Sequence, residues 1–422
     1  PNNPVMFRTG PDTAVNTRAL ELSGIDEEFE VPEGAPYKLE RDANGKLTGV
    51  LRSGRSLLKY ESNTKSPSYE ERVEQLKKLI HDYNSVGITS VSDRNAGDSA
   101  VAIWKSLRES DALNVRVFLY YSMNARADPE AIQKRIDAAA ADPIHQYNPY
   151  LWLRGVKVFL DGGMLTGSAF MRKPWGVSEI YSINDPDYRG MRYIDQERLY
   201  QFSKLMLENG FQMTAHSVGD GAVHALLDAY RIIDEEDFKV ASHRPCITHC
   251  NFMSAEAIAL MKKLGVVADL QPAWLYMDGK TLLKQFGTAR TEYFQPYRSL
   301  FDKGVVVGGG SDHMQRIGSL RSVNPYNPFL GMWITLKRQP RYMTTPLHPE
   351  QSLTRQEALR LYTINNAYLT FEEQEKGSIE KGKLADLVVL DQDILSVQLD
   401  KIKDTKVETT YLGGKVVYQR PR

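Results

Sequence analysis

The feature that most constrains this chain is a rhythm. From about residue 68 onward, short apolar segments rich in β-branched residues alternate with longer segments whose apolar residues recur at helical spacing. Strands are predicted over residues 88–92, 115–121, 151–160, 211–215, 246–249, 266–270 and 305–309. Helices are predicted over 68–86, 129–141, 196–209, 222–234, 255–264 and 354–366, with 293–303 helix-rich. Ser68 followed by Glu71 has the spacing of a capping box at the first helix. Strands that are apolar throughout are buried on both faces, and their alternation with helices implies a parallel sheet covered by helices. Eight strand–helix units close a barrel and seven can be counted. The predicted fold is therefore α/β, a (β/α)8 TIM-like barrel with its first strand missing from this numbering.

The two ends read differently. Residues 1–60 are turn-rich and irregular, with Asn44-Gly45 marking a hairpin between 37–41 and 47–51. Residues 377–389 and 408–418 look like β-structure, with turns at Lys381-Gly382-Lys383 and Gly413-Gly414. So few strands cannot bury both faces alone, so they are expected to complete a small sheet with residues 1–60 or with a segment outside this sequence. The expected organisation is an irregular N-terminal α+β segment over 1–67, a barrel over 68–372 and a C-terminal β segment over 373–422.

Composition excludes several classes. Hydrophobic residues are 42% and charged residues 25% of the 422, which argues against wholesale disorder. Lys+Arg and Asp+Glu are both 53, so nucleic-acid binding by bulk charge is not expected. No run of ~18 apolar residues suggests a membrane span. Two cysteines, Cys246 and Cys250, make no disulfide scaffold and read as small buried apolar residues. The opening Pro1-Asn2-Asn3-Pro4 has neither the basic nor the apolar region of a signal peptide. The expected location is cytoplasmic, or periplasmic or secreted if a leader precedes residue 1.

In a parallel barrel, function concentrates where strands end. The predicted strands end at Asp93-Arg94, Asp161-Gly162-Gly163, His216, His249, Gln271-Pro272 and Ser311-Asp312-His313, and Lys157 lies inside an apolar strand. Imidazole and carboxylate donors delivered by separate strands to one mouth suit zinc or another first-row divalent ion. Each donor also has a plainer reading. His216 or His249 alone could be an ordinary strand-end polar residue, Asp312 could cap a helix, and Lys157 could sit under a loop paired with Asp161 or Asp93. Gly308-Gly309-Gly310 lacks the Lys-Ser/Thr of a phosphate loop.

Several motifs carry a resemblance: Val156-Lys157-Val158-Phe159-Leu160-Asp161-Gly162, Ala215-His216-Ser217-Val218-Gly219-Asp220, Ile247-Thr248-His249, Leu270-Gln271-Pro272, Gly310-Ser311-Asp312 and, most specifically, Gly377-Ser378-Ile379-Glu380-Lys381-Gly382-Lys383-Leu384-Ala385-Asp386-Leu387. Together they resemble the metal-dependent amidohydrolase superfamily, in particular family 3 and its N-substituted formamide deformylase-like branch. The resemblance implies a barrel with a β-sandwich built from both chain ends. It implies metal ligation by His216, His249, Asp312 and Lys157, the lysine carbamylated. The cofactor would be one or two divalent ions, zinc foremost, manganese or iron otherwise. The family's first strand ends in His-x-His, which occurs nowhere among His81, His145, His216, His224, His243, His249, His313 and His348. Gly10-Pro11-Asp12 stands where this branch has Asp-Gly-His, and His313-Met314 where it has Trp-Pro. Either a piece of roughly 50–100 residues bearing that strand lies outside this numbering, or the chain is a degenerate member with impaired metal binding.

The expected reaction is hydrolysis of an amide, formamide or related C–N bond of a small organic substrate by metal-activated water. Asp312 would act as base then acid, and His249, or a histidine of the segment outside this numbering, would help stabilise the oxyanion. Trp175, Trp274, Tyr276, Tyr326, Phe329 and Trp333, in loops over 165–187, 274–291 and 314–346, suggest an apolar or aromatic substrate, or simply pack those loops. A homodimer is possible for such a chain. The alternatives are a binding barrel that has lost catalysis, or a sugar-processing barrel using Asp161 and Asp312. The second leaves the two strand-end histidines unexplained.

Overall fold

The computed structural model describes residues 2–60, 66–313 and 324–421. Strands β1 (Met6–Thr9) and β2 (Asp12–Val15), helix α1 (Thr17–Ser23), and strands β3 (Lys38–Arg41) and β4 (Leu47–Arg52) come first. The strands form one antiparallel sheet in the order β1-β2-β4-β3. Next come α2 (Tyr69–Ser85), β5 (Ser90–Ala96), α3 (Asp98–Glu109), β6 (Arg116–Ser122), α4 (Pro129–Ala141), β7 (Leu151–Phe159), α5 (Gln196–Glu208), β8 (Gln212–Ser217), α6 (Asp220–Glu236), β9 (Cys246–His249), α7 (Ala255–Leu264), β10 (Val267–Leu270), α8 (Pro272–Arg290), α9 (Tyr297–Lys303) and β11 (Val307–Gly309). The chain ends with α10 (Pro328–Lys337), α11 (Arg355–Tyr362), α12 (Ile364–Leu369), β12 (Leu387–Leu390), β13 (Val407–Leu412) and β14 (Lys415–Gln419).

Strands β5 to β11 form one parallel sheet in simple chain order. Laid flat, β5 and β10 would be about 24 Å apart, five strand spacings of ~4.8 Å. Yet Nε of Arg94 on β5 lies 2.8 Å from Oδ2 of Asp269 on β10. The sheet is therefore curled into most of a barrel, and this ion pair bridges its interior. Alternation sorts the residues. Val156, Val158, Met213, Ala215, Ile247, Ala268 and Leu270 pack in the large core beneath the helices, while Lys157, Phe159, His216, Thr248 and Asp269 face the cavity inside.

The helices that begin on strong caps match their predicted bounds. Asp128 accepts from the amides of Glu130 and Ala131 ahead of Pro129, and α4 runs over the predicted residues. Ser254 caps α7, and Gly265 ends it with φ +67°. The Ser68–Glu71 capping box is present.

Other expectations are corrected. Residues 2–60 are less irregular than expected: they hold a four-stranded sheet that includes the predicted Asn44-Gly45 hairpin, and this sheet is hydrogen-bonded to none of the C-terminal strands. Strands β12, β13 and β14 form their own antiparallel sheet, with β13 and β14 packed against α2. The first barrel strand begins two residues later than predicted and runs to Ala96, past Asp93-Arg94. The predicted helix over 354–366 is two helices, because Thr363 has φ −125° and ψ −101°. Most of the supposed loop over 274–291 is helix α8, and α10 lies inside the one over 314–346. Met314 and the start of that loop fall outside the described residues. No described helix is long and apolar enough to cross a membrane.

Candidate functional site

Backbone register fixes the floor of the cavity. Phe159 pairs with His216, His216 with Thr248, Thr248 with Asp269, and Asp269 with Gly308, so all five lie in one layer. Lys157 pairs with Thr214 one step below. The cavity has a volume of about 1650 Å3, and Lys157, His216, His249, Asp269 and Asp312 all line it.

The two expected histidines meet. Their ring centroids are 4.5 Å apart, edge to face at 76°. Nδ1 of His249 lies 2.7 Å from Oε1 of Gln271. The amide of Gln271 is oriented by its own nitrogen, which donates to the Asp269 carbonyl at 3.0 Å. His249 Nδ1 is thus assigned the proton, and Nε2 keeps its lone pair. His216 places Nε2 3.3 Å from the Gly162 carbonyl. Burial holds His249 well below the ordinary imidazole range, with His216 and Lys157 adding to it. Burial and Lys157 hold His216 down to about 3. Both rings are neutral at physiological pH, the form that binds metal.

Lys157 is buried, at 3% exposure, and has neither Asp161 nor Asp93 as an ion-pair partner. Burial lowers its amine to about 8, with Asp312 and Asp269 pulling upward. Asp161 serves the backbone instead: it accepts from the amides of Phe170 at 3.0 Å, Val218 at 3.0 Å and Gly219 at 2.9 Å. These bonds fix the loop after His216. Burial nevertheless pushes the Asp161 carboxyl up, to about 8. Asp312 lines the cavity and is exposed to it. Its poor solvation pushes it up to about 6, while Lys157 pulls down. The backbone is left-handed at both His249 (φ +84°) and Asp312 (φ +52°). Left-handed backbone is uncommon for non-glycine residues, and these two are among twelve in the described chain.

The donors therefore suit a divalent cation in kind: two neutral imidazoles side by side, with a carboxylate and an amine in the same cavity. They are not arranged as a finished coordination sphere, because among the described residues no three His, Cys, Asp or Glu side chains converge on one point.

Other candidates resolve into structure. Cys246 and Cys250 are free and fully buried. A Cβ at Gly308 would lie 2.4 Å from the Asn366 side chain, so this glycine gives α12 room. Asp12 is buried and pairs with Arg52. Of the six loop aromatics, Trp274, Tyr326 and Phe329 line the cavity, and Trp274 and Phe329 are also packed in one hydrophobic core with Trp175 and Trp333. The Arg94–Asp269 pair was missed by sequence reasoning. Asp269 sits mid-strand, and its alternation with Val267 and Gln271 was the available signal.

The profile of the amidohydrolase family matches residues 1–418. The chain is 27% identical over 433 aligned positions to the N-substituted formamide deformylase of Arthrobacter pascens, covering all of this chain and 74% of that one. Two crystal structures of uncharacterized metal-dependent hydrolases share the fold. The one from Pyrococcus furiosus has a TM-score of 0.65 at 20% identity, over 94% of this chain and 74% of that one. The one from Pyrococcus horikoshii has a TM-score of 0.66 at 20% identity, over 94% and 73%. With a profile match across nearly every residue and motifs that land at the strand ends of a curled parallel sheet, the chain belongs to amidohydrolase family 3 and is a hydrolase by descent.

Proposed function

We propose that this protein is a divalent-metal-dependent hydrolase that cleaves an amide, formamide or related C–N bond of a small organic molecule. The observation that carries the reading is the pair of neutral imidazoles, His216 and His249, facing one cavity at 4.5 Å. In this reading they hold the cation, and Asp312 and Lys157 complete the protein's share of its ligands. An amine lowered to about 8 is partly uncharged at neutral pH, which suits Lys157 to carbamylation and so to a carboxylate-like role. A divalent cation bound there would supply Lewis acidity toward the carbonyl and lower the pKa of water.

The chain's own residues do the rest. Asp312, near 6, takes a proton from the attacking water and returns it to the leaving nitrogen. Gln271 keeps the His249 ring in one orientation and one tautomer. Asp161 holds the turn that follows His216 through the amides of Val218 and Gly219. Trp274 and Phe329 line the cavity and offer an apolar wall to the substrate.

One observation favours a second reading, a binding barrel without catalysis: the described donors do not converge as a set of three. A direct assay separates the two. N-benzylformamide is supplied, and formate is followed with a coupled dehydrogenase. The hydrolase reading expects turnover that dipicolinate abolishes and added zinc or manganese restores. Turnover untouched by chelation, or retained in full by His216→Ala, would falsify it, and absence of turnover with every metal supports the binding barrel.

A further inference from the structure

The chemistry proposed above leaves one buried carboxamide of the cavity unused. Among the described residues, three that line the cavity carry a buried side-chain atom with no hydrogen-bond partner: Nε of Arg72, Nε2 of His313 and Oδ1 of Asn251. Arg72 and His313 are partly exposed, whereas Asn251 is 1% exposed. The nitrogen of its carboxamide meets the Met164 thioether, 2.9 Å away. Sulfur there accepts weakly and has no hydrogen to donate, which fixes the end of the amide that faces it and leaves the oxygen without a donor. A buried acceptor in that state is costly and uncommon, so it needs a reason.

The main chain ties Asn251 to the proposed reaction centre. It follows His249 by two residues, so their Cα atoms are within about 7 Å of each other. His249 (φ +84°) and Cys250 (φ +45°) are both left-handed, so the chain leaves the strand direction of β9 there. Hydrogen bonds pin the turn to the segment that follows His216. The Cys250 amide donates to the Ser217 carbonyl at 3.1 Å, and the Phe252 amide donates to the Val218 carbonyl at 3.0 Å. The Gln295 amide donates to the Asn251 carbonyl at 2.8 Å, and the Gln295 side chain donates to the Gln271 carbonyl at 2.9 Å. Gln271 is the residue that orients His249. Met164, which faces the carboxamide, lines the same cavity with an unbranched side chain that can move aside.

The other polar groups around the centre are committed. Gln271 serves His249 and the Asp269 carbonyl, Asp269 holds Arg94 at 2.8 Å, and Asp161 is taken up by three backbone amides. Asn251 offers an acceptor, and the donor that an amide substrate carries at the bond to be cleaved is its N–H. We propose that Asn251 accepts a hydrogen bond from the substrate's amide N–H, which makes the substrate class amides and formamides that keep a hydrogen on nitrogen and disfavours those with two carbon substituents there. The assignment rests on the hydrolase reading, and two arms keep them separable.

The first arm needs no turnover. Calorimetry on the protein as purified compares N-benzylpivalamide with N-benzyl-N-methylpivalamide, whose bulky acyl group resists hydrolysis. The N–H form is expected to bind about fivefold or more tightly, the worth of one hydrogen bond to a buried acceptor. Asn251→Leu should close that gap by weakening the N–H form alone, and Asn251→Asp, which keeps an acceptor oxygen, should retain part of it. Removing an unpaired buried polar group costs the fold nothing, so Asn251→Leu should also unfold at a urea midpoint no lower than the parent's. The second arm compares hydrolysis of N-benzylformamide and N-benzyl-N-methylformamide, where Asn251→Leu should raise KM for the first alone. Equal binding of the two pivalamides, binding of neither, or an Asn251→Leu protein that keeps the preference overturns the assignment. A lowered urea midpoint with the preference intact overturns it in favour of a carboxamide that serves a buried water. An N–H preference with no turnover of either formamide keeps Asn251 and removes the hydrolase. Turnover without an N–H preference does the reverse.

Discussion

A methyl group added at Gly155 would sit 2.2 Å from the Tyr120 ring. That ring is held in place, with Arg94 4.1 Å from its centroid and its hydroxyl donating to Gln212. Gly155→Ala should cost ~1–3 kcal/mol, the usual penalty of overpacking, seen as a lower urea midpoint with unchanged slope. Asp278 makes a second residue-scale case. Burial pushes its carboxyl from 3.8 up to about 7, and its Oδ2 has no hydrogen-bond partner in the structure. The folded state holds this proton more tightly than the unfolded one, so the contribution is complete below pH ~4 and is lost as pH rises through about 7. Asp278→Asn should therefore be more stable than the parent at pH 8 and no more stable at pH 4, measured by urea unfolding at both. Legibility at this scale follows the strand ends. His216 and His249 could be read because a strand stops beside each. The strain at His249 and Asp312, and the ion pair across the interior, depend on how distant strands curl together, which no local pattern records.

Between elements, the family's most specific motif has a mechanical role. Asp386 accepts from Nε and Nη2 of the buried Arg116 at 2.6 and 2.8 Å and from the Gly413 amide at 2.8 Å, fastening the C-terminal sheet to barrel strand β6. Asp386→Asn leaves a buried guanidinium without its counter-charge. It should cost ~3 kcal/mol or more, with hydrogen exchange over residues 387–419 rising before exchange in the barrel does. The elements themselves were legible where caps are strong, as in α4 and α7. Helix α8 was not. It contains Gly287 with non-helical φ +72° and ψ +172°, and its aromatic opening reads as a binding loop. The N-terminal strands are only four to six residues long among turn residues, and Arg52, buried against Asp12 and Glu40, ties β4 to β2 and β3 through contacts that no local pattern records.

Across the whole molecule, seven parallel strands were legible in the alternation, and seven form the sheet. Its curling was implied by the barrel expectation and is demonstrated by Arg94 reaching Asp269. The curl gives the strand-end donors a common cavity. The coordination geometry of those donors is the part that spacing alone could not supply, since each comes from a different strand. The account stands on His216 and His249 acting together on one cation, and cobalt substitution tests this most directly. Protein loaded with one equivalent of Co2+ should show visible d–d absorption characteristic of nitrogen ligation, and His216→Ala and His249→Ala should each remove or shift that band while their melting temperatures stay near the parent's. A Co2+ spectrum identical in the parent and both folded variants would contradict it.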